Sequence, residues 1–145
     1  MSNSFELKFK ATLSNELLAR NSLTSFLSPY NLGLDEISEF KTIVSEAVSN
    51  AIIHGYKFDS NKYVYMKATI FEDEVEIIIK DYGVGIENVK EERVPHYTSR
   101  PDLERAGMGL TIIDSLSDSF NITSIVGVGV KLIIKKKFHP VVTNG

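Results

Sequence analysis

One amphipathic segment constrains the fold of this chain more than any other part of the sequence. Between residues 35 and 54, apolar side chains recur at the spacing of a helix. They form a single stripe made of Ile37, Phe40, Val44, Ala47, Val48 and Ala51. At about 100° per residue, Glu46 and Asn50 lie roughly opposite this stripe, side by side and one turn apart. The pattern predicts a helix, capped by Asp35 and ended by Gly55, that presents a carboxylate and a carboxamide on its open face.

Periodic segments on either side of this helix complete the predicted order of elements. Residues 5–11 alternate apolar and polar side chains and predict a half-buried strand. Ser14 is the predicted cap of a first helix of about three turns. Its apolar positions include Leu17, Leu18 and Phe26. Further strands are predicted over 63–71, 75–81, 120–126 and 130–138, and a third helix over 108–116. The order β-α-α-β-β-loop-α-β-β predicts an α/β (α+β) two-layer sandwich, with helices on one face of a mixed, mostly antiparallel sheet.

Length, charge and the absence of cysteine limit the classes of function. The 145 residues fit one domain, spanning residues 1–145. The net charge of −3 argues against a nucleic-acid partner, because proteins that bind the phosphate backbone present a basic face. Without cysteine the chain has no disulfide, no thiolate metal site and no cysteine nucleophile, and it fits a reducing cytoplasm. No signal peptide is expected, and no apolar run approaches the ~20 residues that span a bilayer.

The two polar side chains on the long helix suit phosphate chemistry. The amide oxygen of Asn50 is a hard ligand of the kind that Mg²⁺ binds together with waters and phosphates. The carboxylate of Glu46 is placed to accept a proton from an attacking hydroxyl or to orient that hydroxyl. The alternative interpretation is a pair of solvated polar residues on an exposed helix face.

A second motif, Asp81-x-Gly83-x-Gly85, follows a strongly apolar strand. A carboxylate at a strand end can accept a hydrogen bond from the amino group of adenine, which guanine replaces with a keto oxygen. The two glycines let the backbone approach a flat base closely. An ordinary Asp/Gly turn is the alternative. The motif is not the dinucleotide-binding glycine pattern, because Asn88 stands where that pattern needs its third glycine.

A third motif, Gly107-Met108-Gly109, is predicted to open the third helix. Free backbone amides at a helix N-terminus bind anions, and the glycines allow phosphates to come close. Arg105 lies just before the motif and can reach a terminal phosphate as a charged donor. A flexible helix start without a ligand is the alternative. The segment 82–106 lacks periodicity and is predicted to be a long functional loop.

Together, the three motifs resemble those of the GHKL (Bergerat) ATP-binding fold, which gyrase, Hsp90, MutL and the histidine kinases share. Glu46-xxx-Asn50 resembles the N box of that fold, and the two glycine motifs resemble its glycine boxes. Segments 45–56 and 103–110 are similar to those of the small anti-sigma factor kinases, most closely the anti-sigma F factors of endospore-forming bacteria. The resemblance covers nearly the whole chain.

The resemblance implies a protein that binds a sigma factor and keeps it from RNA polymerase. It also implies a serine kinase that uses MgATP to phosphorylate an anti-anti-sigma factor. By this resemblance Glu46 is the catalytic base, Asn50 is the Mg²⁺ ligand and Asp81 reads adenine, while residues 88–106 form the ATP lid. The other nucleotide-binding residues that it implies are Gly83, Gly85, Thr98, Ser99, Arg105, Gly107, Met108, Gly109 and Leu110.

The resemblance also suggests partners. Arg20 on the first helix faces either solvent or an acidic partner surface, and the family suggests a homodimer. Where the family usually has Gly-Thr, this chain has Gly129-Val130, which removes a hydroxyl from the adenine site. Three other interpretations stay open. The first is an anti-sigma B-type stress-response kinase, which only its partner distinguishes from an anti-sigma F factor. The second is the catalytic domain of a histidine kinase. The third is a nucleotide-gated binding module without phosphotransfer.

Overall fold

Five strands and three helices make up the described part of the chain in this computed structural model. That part is residues 2–83 and 101–141, with the backbone alone for residues 101–107. The strands are β1 (Ser2–Lys10), β2 (Tyr63–Phe71), β3 (Glu74–Asp81), β4 (Ser119–Ile125) and β5 (Gly129–Lys137). The helices are α1 (Ser14–Leu27), α2 (Leu34–Asn50) and α3 (Pro101–Leu116). The shorter elements are a 3-10 turn (Ser28–Tyr30) before α2 and a π-helical turn (Ala51–Gly55) after it.

The strands form one sheet in the order β1-β2-β3-β5-β4. The register places Met66 of β2 opposite both Leu7 of β1 and Ile79 of β3. On its other side, Ile79 lies opposite Leu132 of β5. Every pair of neighbouring strands is antiparallel within the described ranges, so the mixed sheet that was predicted has no parallel pair there. The predicted order of elements and the two-layer architecture are confirmed.

The helices cover one face of the sheet because each strand alternates its side chains between two faces. The buried side chains of β2 are Val64, Met66, Ala68 and Ile70. Those of α2 are Phe40, Ile43, Val44, Ala47 and Val48. Since burying one Val, Leu, Ile or Phe side chain contributes roughly 1.5–3 kcal/mol, this stripe fixes the rotation of α2 about its axis. Among the described residues, no helix is long and apolar enough to cross a membrane.

The starts of α1 and α2 differ from the prediction. Leu13 and Gly33 occupy the N-cap positions, so Ser14 and Asp35 lie inside the first turns and do not cap them. Asp35 still lies in the first turn of α2, where the positive end of the helix dipole favours a negative charge. Ser14 and Asp35 therefore indicate the right helices but not the right cap positions.

The apolar face of α1 is also corrected. Its buried stripe runs through Ala19, Leu23 and Leu27, each one turn from the next. Leu17 and Leu18, predicted as apolar positions of this helix, are 52% and 45% exposed. The helix is 14 residues long, nearly four turns, where about three were predicted. Two leucines therefore lie on the outer surface of α1.

Helix α3 begins at Pro101, seven residues before the predicted start. Proline is favoured in the first turn of a helix, and residues 103–106 are good helix formers. Gly107 and Gly109 predict a helix start, but a glycine inside a helix costs only about 1 kcal/mol relative to alanine. The predicted loop over 82–106 is therefore helical from residue 101 onward, and the lid residues 88–100 lie outside the described ranges.

Candidate functional site

Asp81 is the last residue of β3, and its side chain is 7% exposed. Burial raises the pKa of its carboxyl to about 6, although the backbone N–H groups of Gly83 and Val130 lower it. The N–H of Gly83 donates to Oδ1 over 2.9 Å. At neutral pH this site therefore holds an ionised carboxylate that is largely shielded from water and can accept a hydrogen bond.

Two glycines let the backbone close around Asp81. A Cβ atom on Gly55 would lie 2.7 Å from the carboxylate of Asp81, and a Cβ atom on Gly83 would lie 1.9 Å from the carbonyl oxygen of Gly55. The π-helical turn after α2 therefore packs directly against the end of β3. This contact requires a residue without a side chain on both sides.

A cleft opens between α2 and the sheet beside this contact. Its lining residues are Ala47, Asn50, Ala51, His54, Gly55, Ile79, Asp81, Val130 and Leu132. Apolar walls with a few polar groups are typical of sites for organic ligands. The cleft brings Asn50 and Asp81 together from separate motifs. Val130 adds apolar surface next to Asp81.

Glu46 lies one turn before Asn50 and faces α3. A Cβ atom on Gly109 would lie 3.0 Å from Glu46 Oε2, so α3 passes close to the carboxylate. Burial raises the pKa of Glu46, and the negative charge of Glu16 on α1 raises it further. The structure thus brings the first and third motifs together at a carboxylate that binds protons more tightly than usual.

A contact between α1 and α2 that was not predicted lies beside Glu46. Ser49 Oγ donates to Glu16 Oε2 over 2.7 Å, and Arg20 Nε lies 3.9 Å from Glu16 Oε1. Arg20 Nε is buried and has no hydrogen-bond partner among the described residues. The spacing of Glu16 and Arg20, four residues apart on one helix, is the signal in the sequence that points to their pairing.

A groove runs along α2 from its N-terminus to Glu46. Its lining residues are Arg20, Leu34, Ile37, Ser38, Lys41, Thr42, Ser45 and Glu46. Arg20 and Lys41 contribute two positive charges to its walls, and Leu34 is 85% exposed. The groove therefore connects a surface with cationic and exposed apolar side chains to the carboxylate of Glu46.

The third motif lies within α3 and not at its start, which corrects the prediction of a helix N-terminus there. Interior N–H groups of an α-helix donate to carbonyls four residues earlier, so the amides of Met108, Gly109 and Leu110 have helical partners in this conformation. The side chain of Leu110 is buried in the core, whereas Met108 is 70% exposed. The nucleotide-binding roles of these three residues stay predictions.

Other predicted residues fall partly or wholly outside the described ranges. Gly85, Thr98 and Ser99 lie outside them altogether. Arg105 and Gly107 belong to α3, where only their backbone is described. Their predicted contacts with a nucleotide stay predictions.

Comparison with known proteins shows the family to which this chain belongs. Residues 9–136 match a family described as the histidine kinase-like ATPase domain. An anti-sigma F factor from Clostridium perfringens (strain SM101 / Type A) is 46% identical over 139 residues, covering 96% of this chain and 99% of that relative. An anti-sigma F factor from Priestia megaterium is 47% identical over 137 residues, covering 94% of this chain and 93% of that relative.

The fold is also similar to a crystal structure of the RsbU and RsbW domains of a Mycobacterium tuberculosis protein. The TM-score is 0.64 and the identity 18%, over 97% of this chain and 35% of that chain. This likeness concerns the fold alone. The two sequence relatives match this chain over nearly the full length of both proteins. The chain belongs to the histidine kinase-like ATPase domain family and, within it, to the anti-sigma F factors.

Proposed function

We propose that this chain is an anti-sigma factor that is also an ATP-dependent serine kinase. It binds a sigma factor of the sigma F type, keeps it from RNA polymerase, and phosphorylates a serine of an anti-anti-sigma factor with MgATP. The observation that carries the kinase activity is the convergence of Asn50 and Asp81 on one cleft, next to Glu46 on the same helix. Membership of the anti-sigma F family supports the sigma factor partner.

The side chains that line the cleft suit the chemistry of an adenine nucleotide. Asp81 accepts a hydrogen bond from the adenine amino group, and the apolar side chains around it, such as Ile79 and Val130, contact the ring. The amide oxygen of Asn50 would hold a Mg²⁺ ion, which would supply positive charge to neutralise the phosphates. Arg105 and Gly107, which the resemblance assigns to the nucleotide site, would contact the phosphates.

Phosphoryl transfer needs positioning and charge neutralisation more than covalent chemistry from the protein. Glu46 orients the serine hydroxyl and accepts its proton. Its raised pKa suits this role, because a base works best when its pKa approaches the working pH. A module that only binds nucleotide has no need of such a base.

The partner surface is the groove that leads to Glu46. Arg20 lines this groove with 32% of its side chain exposed, so its guanidinium can meet a carboxylate of a partner. With Lys41 it favours an acidic segment, and exposed leucines on α1 and at Leu34 supply apolar contact area. A partner docked here brings a hydroxyl towards Glu46. We place this activity in the cytoplasm, because RNA polymerase and its sigma factors work there. The homodimer is proposed from the family resemblance.

The experiment that tests the function is transfer from labelled ATP and Mg²⁺ to candidate anti-anti-sigma proteins. The wild-type chain is expected to label a serine, and Glu46→Gln is expected to bind ATP normally while transfer falls by roughly 100-fold or more. Glu76→Gln, a carboxylate on the open face of the sheet paired with Lys135, is the matched control and should label normally.

Binding of ATP without transfer to any candidate would select the nucleotide-gated module instead. The anti-sigma activity is read separately, by binding of sigma F-type and sigma B-type factors to the same protein. Arg20→Glu is expected to weaken the binding of its partners through charge repulsion. Unchanged affinity for every partner would remove Arg20 from the docking surface.

A further inference from the structure

Tyr56 follows the π-helical turn and is 6% exposed. Its hydroxyl forms two short hydrogen bonds with backbone groups. The N–H of Tyr82 donates to Tyr56 Oη over 2.6 Å, and the hydroxyl donates to the carbonyl of Tyr63 over 2.6 Å. The backbone N–H of Tyr56 donates to the carbonyl of Ala51 over 2.9 Å, which anchors the residue to the turn. Tyr56 is thus held at its backbone N–H and at its hydroxyl.

The two backbone partners of this hydroxyl face each other at the end of the β2–β3 ladder. The register pairs Tyr65 with Lys80, and continuing it by two residues places Tyr63 opposite Tyr82. The hydroxyl of Tyr56 therefore occupies the place where the N–H of one strand and the carbonyl of the other would bond directly. It separates the strand ends and still satisfies both groups.

We propose that Tyr56 is a positioning residue for adenine recognition, because its inserted hydroxyl sets where the end of β3, and with it Asp81, stands against the base. This inference rests on the proposed function, in which Asp81 reads the adenine amino group. Without the hydroxyl, either two buried backbone groups lose their partner or the strands close by more than ~1 Å to bond directly. In either case the backbone of Tyr82, which follows Asp81 directly, loses the contact that holds it in place.

The phenol is suited to this place because it keeps its proton. Burial raises the pKa of Tyr56, and the nearby charge of Asp81 adds to the shift, whereas the hydrogen bond from Tyr82 lowers it. At neutral pH the hydroxyl can therefore donate and accept at once. Phenylalanine fills the same volume without either bond.

The test compares Tyr56→Phe with the wild-type protein for binding of MgATP and of inosine triphosphate, which carries a keto oxygen in place of the adenine amino group. The affinity for ATP is expected to fall about 10-fold, as for the loss of one buried hydrogen-bonding partner, while that for inosine triphosphate changes less than about twofold. Tyr65→Phe is the matched control, because it loses a hydrogen bond to Glu6 on the open face of the sheet. It should leave both affinities unchanged.

Asp81→Ala, measured in parallel, separates this inference from the proposed function. If Asp81→Ala loses the preference for ATP and Tyr56→Phe keeps it, the positioning role of Tyr56 is overturned and the proposed function stands. If the wild-type protein does not prefer ATP, both fall. Amide exchange in the wild-type protein gives a second reading that needs no variant to fold. The N–H of Tyr82 should be strongly protected, and rapid exchange there would contradict its bond to Tyr56.

Discussion

Asp81 links the ionisation of one side chain to the stability of the fold. Its carboxyl has a pKa of about 6 in the folded chain against 3.8 for an ordinary aspartate. A raised pKa means that the folded state gains from the proton. Protonation of Asp81 therefore stabilises the folded state fully below pH 3.8, and this stabilisation is lost as the pH rises through 6. Above that range the fold carries a buried charge that costs about 3 kcal/mol.

We expect Asp81→Asn to increase the free energy of unfolding above pH 7, by up to about 3 kcal/mol relative to the wild type. The amide keeps an acceptor for the N–H of Gly83 and carries no charge. Below pH 4 the gain should vanish, because the wild-type carboxyl is then neutral. Urea denaturation of both proteins at pH 4 and pH 8 measures this. A difference that does not change with pH would contradict the buried charge. The same variant should bind ATP poorly at pH 8, a cost in function for a gain in stability.

A second prediction concerns Glu16, whose negative charge raises the pKa of Glu46. Glu16→Gln keeps an oxygen that can accept from Ser49 and removes the charge. The pKa of Glu46 should then fall, and the acidic limb of the kcat profile should move to lower pH. Transfer rates between pH 5 and pH 8 measure this. Glu74→Gln, at the start of β3, is the control variant. An unchanged profile for Glu16→Gln would show that the two carboxylates do not interact.

At the scale of elements, helix α3 meets the site through a glycine. Gly109→Ala should favour the helix by roughly 1 kcal/mol, because alanine is the better helix former. The added Cβ lies 3.0 Å from Glu46 Oε2, so the carboxylate has to shift by a few tenths of an ångström. We therefore expect a melting temperature equal to or above that of the wild type, together with a transfer rate about 10-fold lower. Ser115→Ala, on the exposed side of α3, is the matched control. A full transfer rate in Gly109→Ala would mean that the contact does not position Glu46.

The elements were predictable where a pattern of burial repeats along the chain. Alternation gave β2 as residues 63–71, the bounds that the structure shows. The apolar stripe placed Glu46 and Asn50 on one helix because burial of that stripe dominates its energy. The start of α3 lies before the predicted one because the helix formers at 103–106 outweigh the cost of the two glycines that follow them. The π-helical turn was missed because its apolar residues continue the pattern of α2.

The site was predictable only in part, because some of its contacts form only when distant segments of the chain pack together. Motifs identified Glu46, Asn50 and Asp81, whose side-chain chemistry suits the ligand. The charge of Glu16 beside Glu46 and the hydroxyl of Tyr56 between two strands depend on contacts between distant segments. No local periodicity encodes such contacts.

At the scale of the whole molecule, a bound nucleotide should stabilise the fold. A ligand at 100 times its Kd adds about 2.7 kcal/mol, which for a chain of this length raises Tm by several degrees. We expect that rise with MgATP, a smaller one with ATP and a chelator, and no difference between the two conditions in Asn50→Ala. Thermal unfolding followed by circular dichroism measures all three. If Asn50→Ala responds to Mg²⁺ as the wild type does, the metal ligand has been assigned wrongly.

The π-helical turn between Ala51 and Gly55 makes the length of the chain at this point part of the site. The N–H of Tyr56 bonds to a carbonyl five residues earlier, one more than in an α-helix. Deleting one residue here would let the helix continue regularly, keep its buried stripe, and turn the following residues by about 100° away from Asp81. Insertions and deletions in this fold should therefore be absent between residues 50 and 56 and accumulate in the exposed turn 57–62, where length carries no such penalty.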